Sequence, residues 1–326
     1  FLYIQLYKKL NNGRINMDKL EKDFEDILMA KVSWYYYMEE MTQQSIAEHL
    51  GMSRMRVIKL LEKARKTGIV QFQIRSNQSK KLELEHQLIK KFNLKDTFIV
   101  PTNPKKEEIN ETIAKGAAMY IGNRITDNCF INFGYGDTPS RTLNHLASNV
   151  DCTVSYVSLT GGVHYYLPNT QSNIFSSKLY LMPSPLIAST REMAEAIKNE
   201  ISIQEVSNMT KLASMTIIGI GAMNDNATII KSGILSQNDF LLLSMKGAVG
   251  DVLSHFIDKD GNLIENEYES RLISTSLSTI KELDNVVGVA AGENKIPAIR
   301  AVLKGSYLDV LITDEDTAQS LLNQDD

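Results

Sequence analysis

Two hydrophobic rhythms succeed one another along the chain. Between residues 42 and 66, apolar positions recur at helical spacing. Ile46, Ala47 and Leu50 define the inner face of a short helix over 43–50, opened by Thr42 as N-cap and ended by Gly51. Val57, Leu60, Leu61 and Ala64 define a second helix, capped by Ser53 and ended by Gly68. The following "IVQFQIR" alternates as a strand does. Helix, glycine turn, helix and strand together outline a winged helix-turn-helix. Upstream, Trp34, Tyr35, Tyr36 and Tyr37 form an aromatic helical stripe. It suits the core of this small domain better than a stacking platform for bases, which spreads aromatics over a sheet.

From about residue 94 the rhythm changes to alternating strand and helix. The strand candidates are "TFIVP", "CFINFG", "TVSYVSLTGG", "MTIIGIG", "NVVGVAAG" and "LDVLITD". Between them lie helical patterns over 107–125, 138–147, 170–180, 190–200, 239–256, 295–303 and 315–322. This alternation predicts an α/β domain built on a doubly wound, mostly parallel sheet. Residues 77–93 join the two regions as a linker that turns into an amphipathic helix.

The chain has 326 residues, 43% hydrophobic and 23% charged, enough for a large core and a small additional domain. Its net charge of −4 excludes a protein that is basic throughout, so charge has to be read locally. The second helix carries Arg54, Arg56, Lys59, Lys63, Arg65 and Lys66 against one acid, Glu62. A recognition helix reads base edges with its N-terminal residues, which places Ser53, Arg54 and Arg56 at the major groove. Lys59, Lys63 and Lys66 are placed for phosphates. Thr42, Gln43 and Gln44 open the preceding helix, whose donors also suit phosphate. Only Cys129 and Cys152 are cysteines, which excludes a disulfide framework and a cysteine-built zinc site and fits a reducing cytoplasm. No apolar run approaches the roughly 18 residues of a membrane span.

In a doubly wound sheet, ligands bind beyond the carboxyl ends of the strands. Four glycine-containing turns fall there. "FGYGDTPSRT" supplies Gly134, Tyr135, Gly136 and Asp137, and "LTGGV" supplies Thr160, Gly161 and Gly162. "KGAVGD" brings Lys246 and Asp251, and "AGENK" brings Lys295 at a helix start. Backbone amides with Lys295 suit a phosphate, and Asp251 suits sugar hydroxyls. The dinucleotide fingerprint is absent from "GYGDTPS", which lacks the third glycine. Sugar-phosphate isomerases and deaminases use similar sheets, so an enzyme is the alternative reading. Catalysis would need an acid or base at the mouth, where His164 is the one histidine. No nucleophile–base pair, metal-ligand cluster or cofactor motif stands out.

The joint pattern resembles the SorC family of bacterial sugar-responsive transcriptional regulators. "YYYMEEMTQQSIAEHLGMSRMRVIKLLEKARKTGIV" is similar to its DNA reader. "FGYGDTPSRTL", "LTGGV", "GIGA", "KGAVGDVLSHFIDKDGN" and "GENKIPAIRAVLKGSYLDVLITDEDTA" are similar to its effector domain. The resemblance implies a sugar-phosphate-isomerase-like fold that senses rather than catalyses. It implies operator DNA as one partner and a phosphorylated sugar or sugar-like effector as the other, phosphorylated autoinducer-2 among the candidates. Asp251 and Lys295 would contact that effector, the lysine on phosphate, with the glycine loops lining the site. Many members have tryptophan where this chain has Tyr135. The resemblance further implies repression and a homodimer or homotetramer. The expected partition is an extension over 1–16 ahead of Met17, a reader over 17–76, an oligomerisation helix over 77–93 and an effector domain over 94–326.

Overall fold

The computed structural model describes residues 24–71, 79–150, 152–162, 177–224 and 227–323. It divides after Ser76 into two compact units.

In the first unit, helices α1 (24–37), α2 (Gln43–His49) and α3 (Arg54–Lys66) enclose Met29, Val32, Ile46, Val57, Leu60 and Leu61. Thr42 Oγ1 accepts the Ser45 N–H at 3.1 Å, and Ser53 Oγ accepts the Arg56 N–H at 3.3 Å. Each cap satisfies a donor that has no acceptor inside its helix. Tyr35, Tyr36 and Tyr37 pack against the core, whereas Trp34 is exposed and donates to Glu39 through Nε1. Residues 69–71 form no strand, and the rest of the expected wing strand lies outside the described residues.

The second unit opens with α4 (Ser79–Phe92). Its strands are β1 (Asp96–Val100), β2 (Cys129–Phe133), β3 (Val154–Ser158), β4 (Lys178–Tyr180) and β5 (Met215–Gly219). Then come β6 (Gly221–Ala222), β7 (Gly250–Val252), β8 (His255–Ile257), β9 (Val286–Val289) and β10 (Val310–Asp314). The helices between them are α5 (Ile109–Gly122), α6 (Asp137–Asn149), α7 (Arg191–Lys198), α8 (Ile201–Met209) and α9 (Thr228–Lys231). They continue as α10 (Gln237–Met245), α11 (Leu277–Glu282), α12 (Ile296–Lys304) and α13 (Glu315–Asn323).

Seven strands form one sheet in the order β1-β10-β9-β5-β2-β3-β4, and every pairing in it is parallel. Both faces are covered, which is why its strands read as continuous apolar runs. Ile217 and Ile312 face a core with Ile113 and Ile121 of α5 and Leu146 of α6. Ile218 and Leu311 face the opposite core, with Ile299 and Val302 of α12 and Leu321 of α13. The strands β6, β7 and β8 form a separate antiparallel sheet.

Two expectations need correction. The helical pattern over 239–256 ends at Met245, and its remainder is the β7–β8 hairpin. The pattern over 170–180 contains β4, with 170–176 outside the described residues. Within 77–93, residues Ser79–Phe92 form the expected amphipathic helix, α4, which packs on the second unit. Leu84 and Leu88 of α4 are buried in the second unit's core, Glu85 accepts the Ile99 N–H at 2.8 Å, and Lys91 Nζ donates to the Leu322 carbonyl at 3.2 Å. No helix among the described residues is long and apolar enough to cross a membrane.

Candidate functional site

Strand order decides where a ligand can enter. From β2 the chain steps outward to β3 and β4, whereas from β5 it steps the other way to β9 and β10. The neighbouring carboxyl ends of β2 and β5 are therefore a topological switch point, where the departing loops diverge and leave a crevice. A cavity of about 650 Å³ lies there. Its wall includes Tyr135, Gly136 and Asp137 after β2, Gly221 after β5, Asp251 of β7 and Lys295 ahead of α12.

Gly136 has φ 133°, a conformation closed to most side chains, and it leads directly into α6. The first turn of α6 thus lines the crevice, and its Asp137 and Thr138 amides have no acceptor inside their own helix. Asp137 lines the cavity, but its carboxylate is already engaged. It accepts Arg141 Nε at 2.9 Å and Asn110 Nδ2 at 2.8 Å. Arg141 also donates to Glu111, which meets His145 Nε2 at 2.8 Å.

Asp251 is the buried acid of the site. One carboxylate oxygen accepts the Ser254 N–H at 3.1 Å. The other lies against Gly221, where any Cβ would collide with it. Burial raises the Asp251 carboxyl above its ordinary range, opposed by the Ser254 N–H, Lys295 and His255. Lys295 keeps partial surface exposure because it opens on the cavity. Partial burial in the cavity wall lowers the Lys295 ammonium pKa against the pull of Asp137 and Asp251. Among the described residues, its ammonium makes no ion pair within 4.0 Å. A buried carboxylate and a half-buried ammonium thus line one cavity without closing on each other.

Tyr135 forms an aromatic wall, and its hydroxyl lies 2.5 Å from Ser254 Oγ. Ser254 and Leu253 form the turn between β7 and β8, with φ 69° and 51°. The remaining expected contacts lie outside the lining. Gly134 backs onto Leu253 and donates its N–H to Ile217 O at 2.8 Å. Thr160 is buried and bridged to Ser274. Gly161 donates to Ile273 O at 2.9 Å and Gly162 to Ser184 O at 2.8 Å, so both amides are consumed by the fold. Lys246 ends α10 on the surface and donates to the Glu265 carbonyl at 3.4 Å. Sequence reasoning overlooked Gly221, Lys106, Asn110, Asn224, Thr228 and Lys231, all in the lining. The polar run around "NATIIKSG" was the available signal for three of them. His164 lies outside the described residues, and among those described no histidine, cysteine or serine lines the cavity.

In the first unit, the buried face of α3 is Val57, Leu60, Leu61 and Ala64. Arg54, Arg56, Lys59, Arg65 and Lys66 are exposed. Lys63 is exposed as well, and its ammonium pairs with Glu25 of α1. Thr42, Gln43, Gln44 and Arg54 share a shallow surface cleft with Tyr36 and Glu40. Among the described residues there is no group of three metal-ligating side chains.

Comparison with known proteins bears on both units. Residues 76–323 match the family described as "Putative sugar-binding domain", and residues 32–67 match sigma-70 region 4. The transcriptional regulator LsrR of Klebsiella pneumoniae is 34% identical over 302 residues, 91% of this chain and 93% of that protein. LsrR of Escherichia coli K12 is 35% identical over 302 residues, covering 91% and 95%. Among solved structures, the full-length sorbitol operon regulator SorC of K. pneumoniae superposes with a TM-score of 0.65 at 23% identity, over 91% of this chain and 99% of that one. A transcriptional regulator of Streptococcus pneumoniae gives 0.66 at 23% identity, over 76% and 98%. Helix-turn-helix unit, parallel sheet and sequence identity agree: the chain is a DNA-binding transcriptional regulator with a sugar-binding domain and belongs to the SorC family.

Proposed function

We propose that the chain is a repressor whose operator binding is opposed by a phosphorylated sugar or sugar-like effector held in the β2–β5 cavity. The observation that carries this reading is the separated pair Lys295 and Asp251. A cavity that holds an ammonium and a carboxylate apart fits a ligand with an anionic end and a hydroxyl-bearing end. Lys295 and the amides opening α6 take the phosphate, and Asp251 accepts from hydroxyls. Phosphorylated autoinducer-2 is the first candidate, from the resemblance to Lsr regulators.

On the DNA side, Ser53, Arg54 and Arg56 reach base edges. Lys59, Lys66 and the start of α2 at Thr42, Gln43 and Gln44 hold phosphates. A two-fold operator requires at least a homodimer. Effector and operator then oppose one another through reciprocal linkage, each favouring a different arrangement of the readers. Among the described residues, the cavity lining offers carboxylates but no histidine, cysteine or serine, which supports a sensor over an isomerase or deaminase.

A thermal-shift screen of sugar phosphates against their unphosphorylated forms tests the reading, because a ligand of the native state raises apparent stability. The expected result is a shift with a phosphorylated compound that also releases the protein from its operator. A ligand that is steadily converted to product would move the chain to the enzyme class.

A further inference from the structure

The outward face of the reader helix carries an apolar side chain. Met55 is 60% exposed, in the first turn of α3, one residue after Arg54 and one before Arg56. At 3.6 residues per turn, Met55, Lys59, Glu62 and Lys66, all exposed, fall within about 60° of one another around the axis. Their stripe lies opposite the buried Val57, Leu60, Leu61 and Ala64. A single exposed methionine means little by itself. This one sits amid the exposed cations Arg54, Arg56 and Lys59, on the turn that enters a groove first. Lys59 and Lys66, further along the helix, suit phosphate, and a thioether in the first turn between two base-reading arginines calls for an apolar group on the groove floor. In the major groove the exposed apolar group is the C5-methyl of thymine.

We propose that Met55 is a sequence-reading residue that packs on a thymine methyl, fixing an A·T pair in each half-site beside the bases read by Arg54 and Arg56. The inference rests on the DNA-reading assignment of α3 and adds a base preference to it. No hydrogen bond is involved, so the preference is for the methyl group and not for the donor–acceptor pattern of the pair.

The test begins with selection from a random duplex pool, using the full chain and Met55→Ala. The intact chain is expected to fix a thymine in each half-site that Met55→Ala leaves degenerate. Deoxyuridine at that position removes only the C5-methyl. It should weaken the intact chain about fourfold, the factor that corresponds to burying one methyl group at about 0.8 kcal/mol. Met55→Ala should bind the two duplexes alike, and Met55→Leu should keep most of the discrimination. Circular dichroism of both variants should match the intact chain, since the side chain contributes nothing to the core. If deoxyuridine weakens binding at no thymine, or if Met55→Ala still discriminates, Met55 does not read a methyl. A pool that yields no enriched sequence at all would overturn the DNA-reading assignment itself, a distinct outcome.

Discussion

The Tyr135 hydroxyl lies 2.5 Å from Ser254 Oγ, which ties the glycine turn after β2 to the hairpin that carries Asp251. Both groups are buried, so each would be left without this partner if the other were removed. The hairpin turn holds two non-glycine residues at positive φ, a conformation that persists only where surrounding contacts enforce it. Tyr135→Phe should destabilise the second unit by about 1–2 kcal/mol, seen as a lower urea midpoint with an unchanged slope. Tyr135→Phe combined with Ser254→Ala should cost less than the sum of the single changes. Strict additivity would mean that the pair is not coupled.

Gly221→Ala gives a sharper outcome. Its Cβ would occupy the space of the Asp251 carboxylate, so that carboxylate has to move. We expect a stability loss of about 1–3 kcal/mol and loss of effector binding, with operator binding retained. Calorimetry and a gel-shift titration on the same preparation separate the two. Unchanged effector affinity would show that Asp251 is not in contact with the ligand.

Lys295 and Asp251 should divide the effector between them. Lys295→Ala should erase about 1.5–3 kcal/mol of preference for phosphorylated over free ligand, the range for a hydrogen bond to a charged group. Asp251→Asn should weaken both forms while keeping that preference. The aspartate also carries a pH signature. Its folded-state pKa is raised, so the native state holds the proton more tightly than the unfolded chain. The contribution of such a group is full below the unfolded value of about 3.9 and is lost as pH rises through the folded one. Asp251→Asn should therefore be more stable than the parent at neutral pH, with the gain shrinking toward about pH 4. Denaturant titrations across that window show the trend. A gain that grows on acidification would contradict the assignment.

On α3, Arg56→Ala should weaken operator binding more than random-sequence binding, by about 1–3 kcal/mol. Lys59→Ala should weaken both and flatten the salt dependence by about one counterion. Lys63→Ala should change that slope less than Lys59→Ala, because the Lys63 ammonium is already paired with Glu25. Equal slopes for the two variants would show that Lys63 leaves Glu25 on binding DNA.

Six of the seven sheet strands were legible because a strand buried on both faces is a short apolar run bounded by polar turns. The seventh, β4, is a three-residue edge strand, too short to impose a rhythm. The β7–β8 hairpin was lost for a subtler reason. Val252, Leu253, Phe256 and Ile257 are all buried, a spacing that fits a helix equally well. The turn between the strands uses Leu253 and Ser254 in place of the Asn-Gly or Asp-Gly pair that marks such turns. At the site, Lys295 and Asp251 were visible as charges beside glycines. Gly161, Gly162 and Lys246 looked equivalent, because sequence does not tell an amide aimed at a cavity from one paired across to Ile273 or Ser184. Gly221 was hidden because its neighbour in space, Asp251, is distant in sequence.

The contact between Gly221 and Asp251 also constrains how this sensor can diverge. Asn224 and Lys231 line the cavity away from this contact, so a change at either alters the wall without a clash against the Asp251 carboxylate. Position 221 has no such freedom while position 251 holds an aspartate. Any larger residue at 221 becomes tolerable only after 251 has shortened, and that step removes the acid that faces the ligand. The two positions are an epistatic pair. A change of ligand preference is therefore expected through the rest of the wall, with positions 221 and 251 changing together.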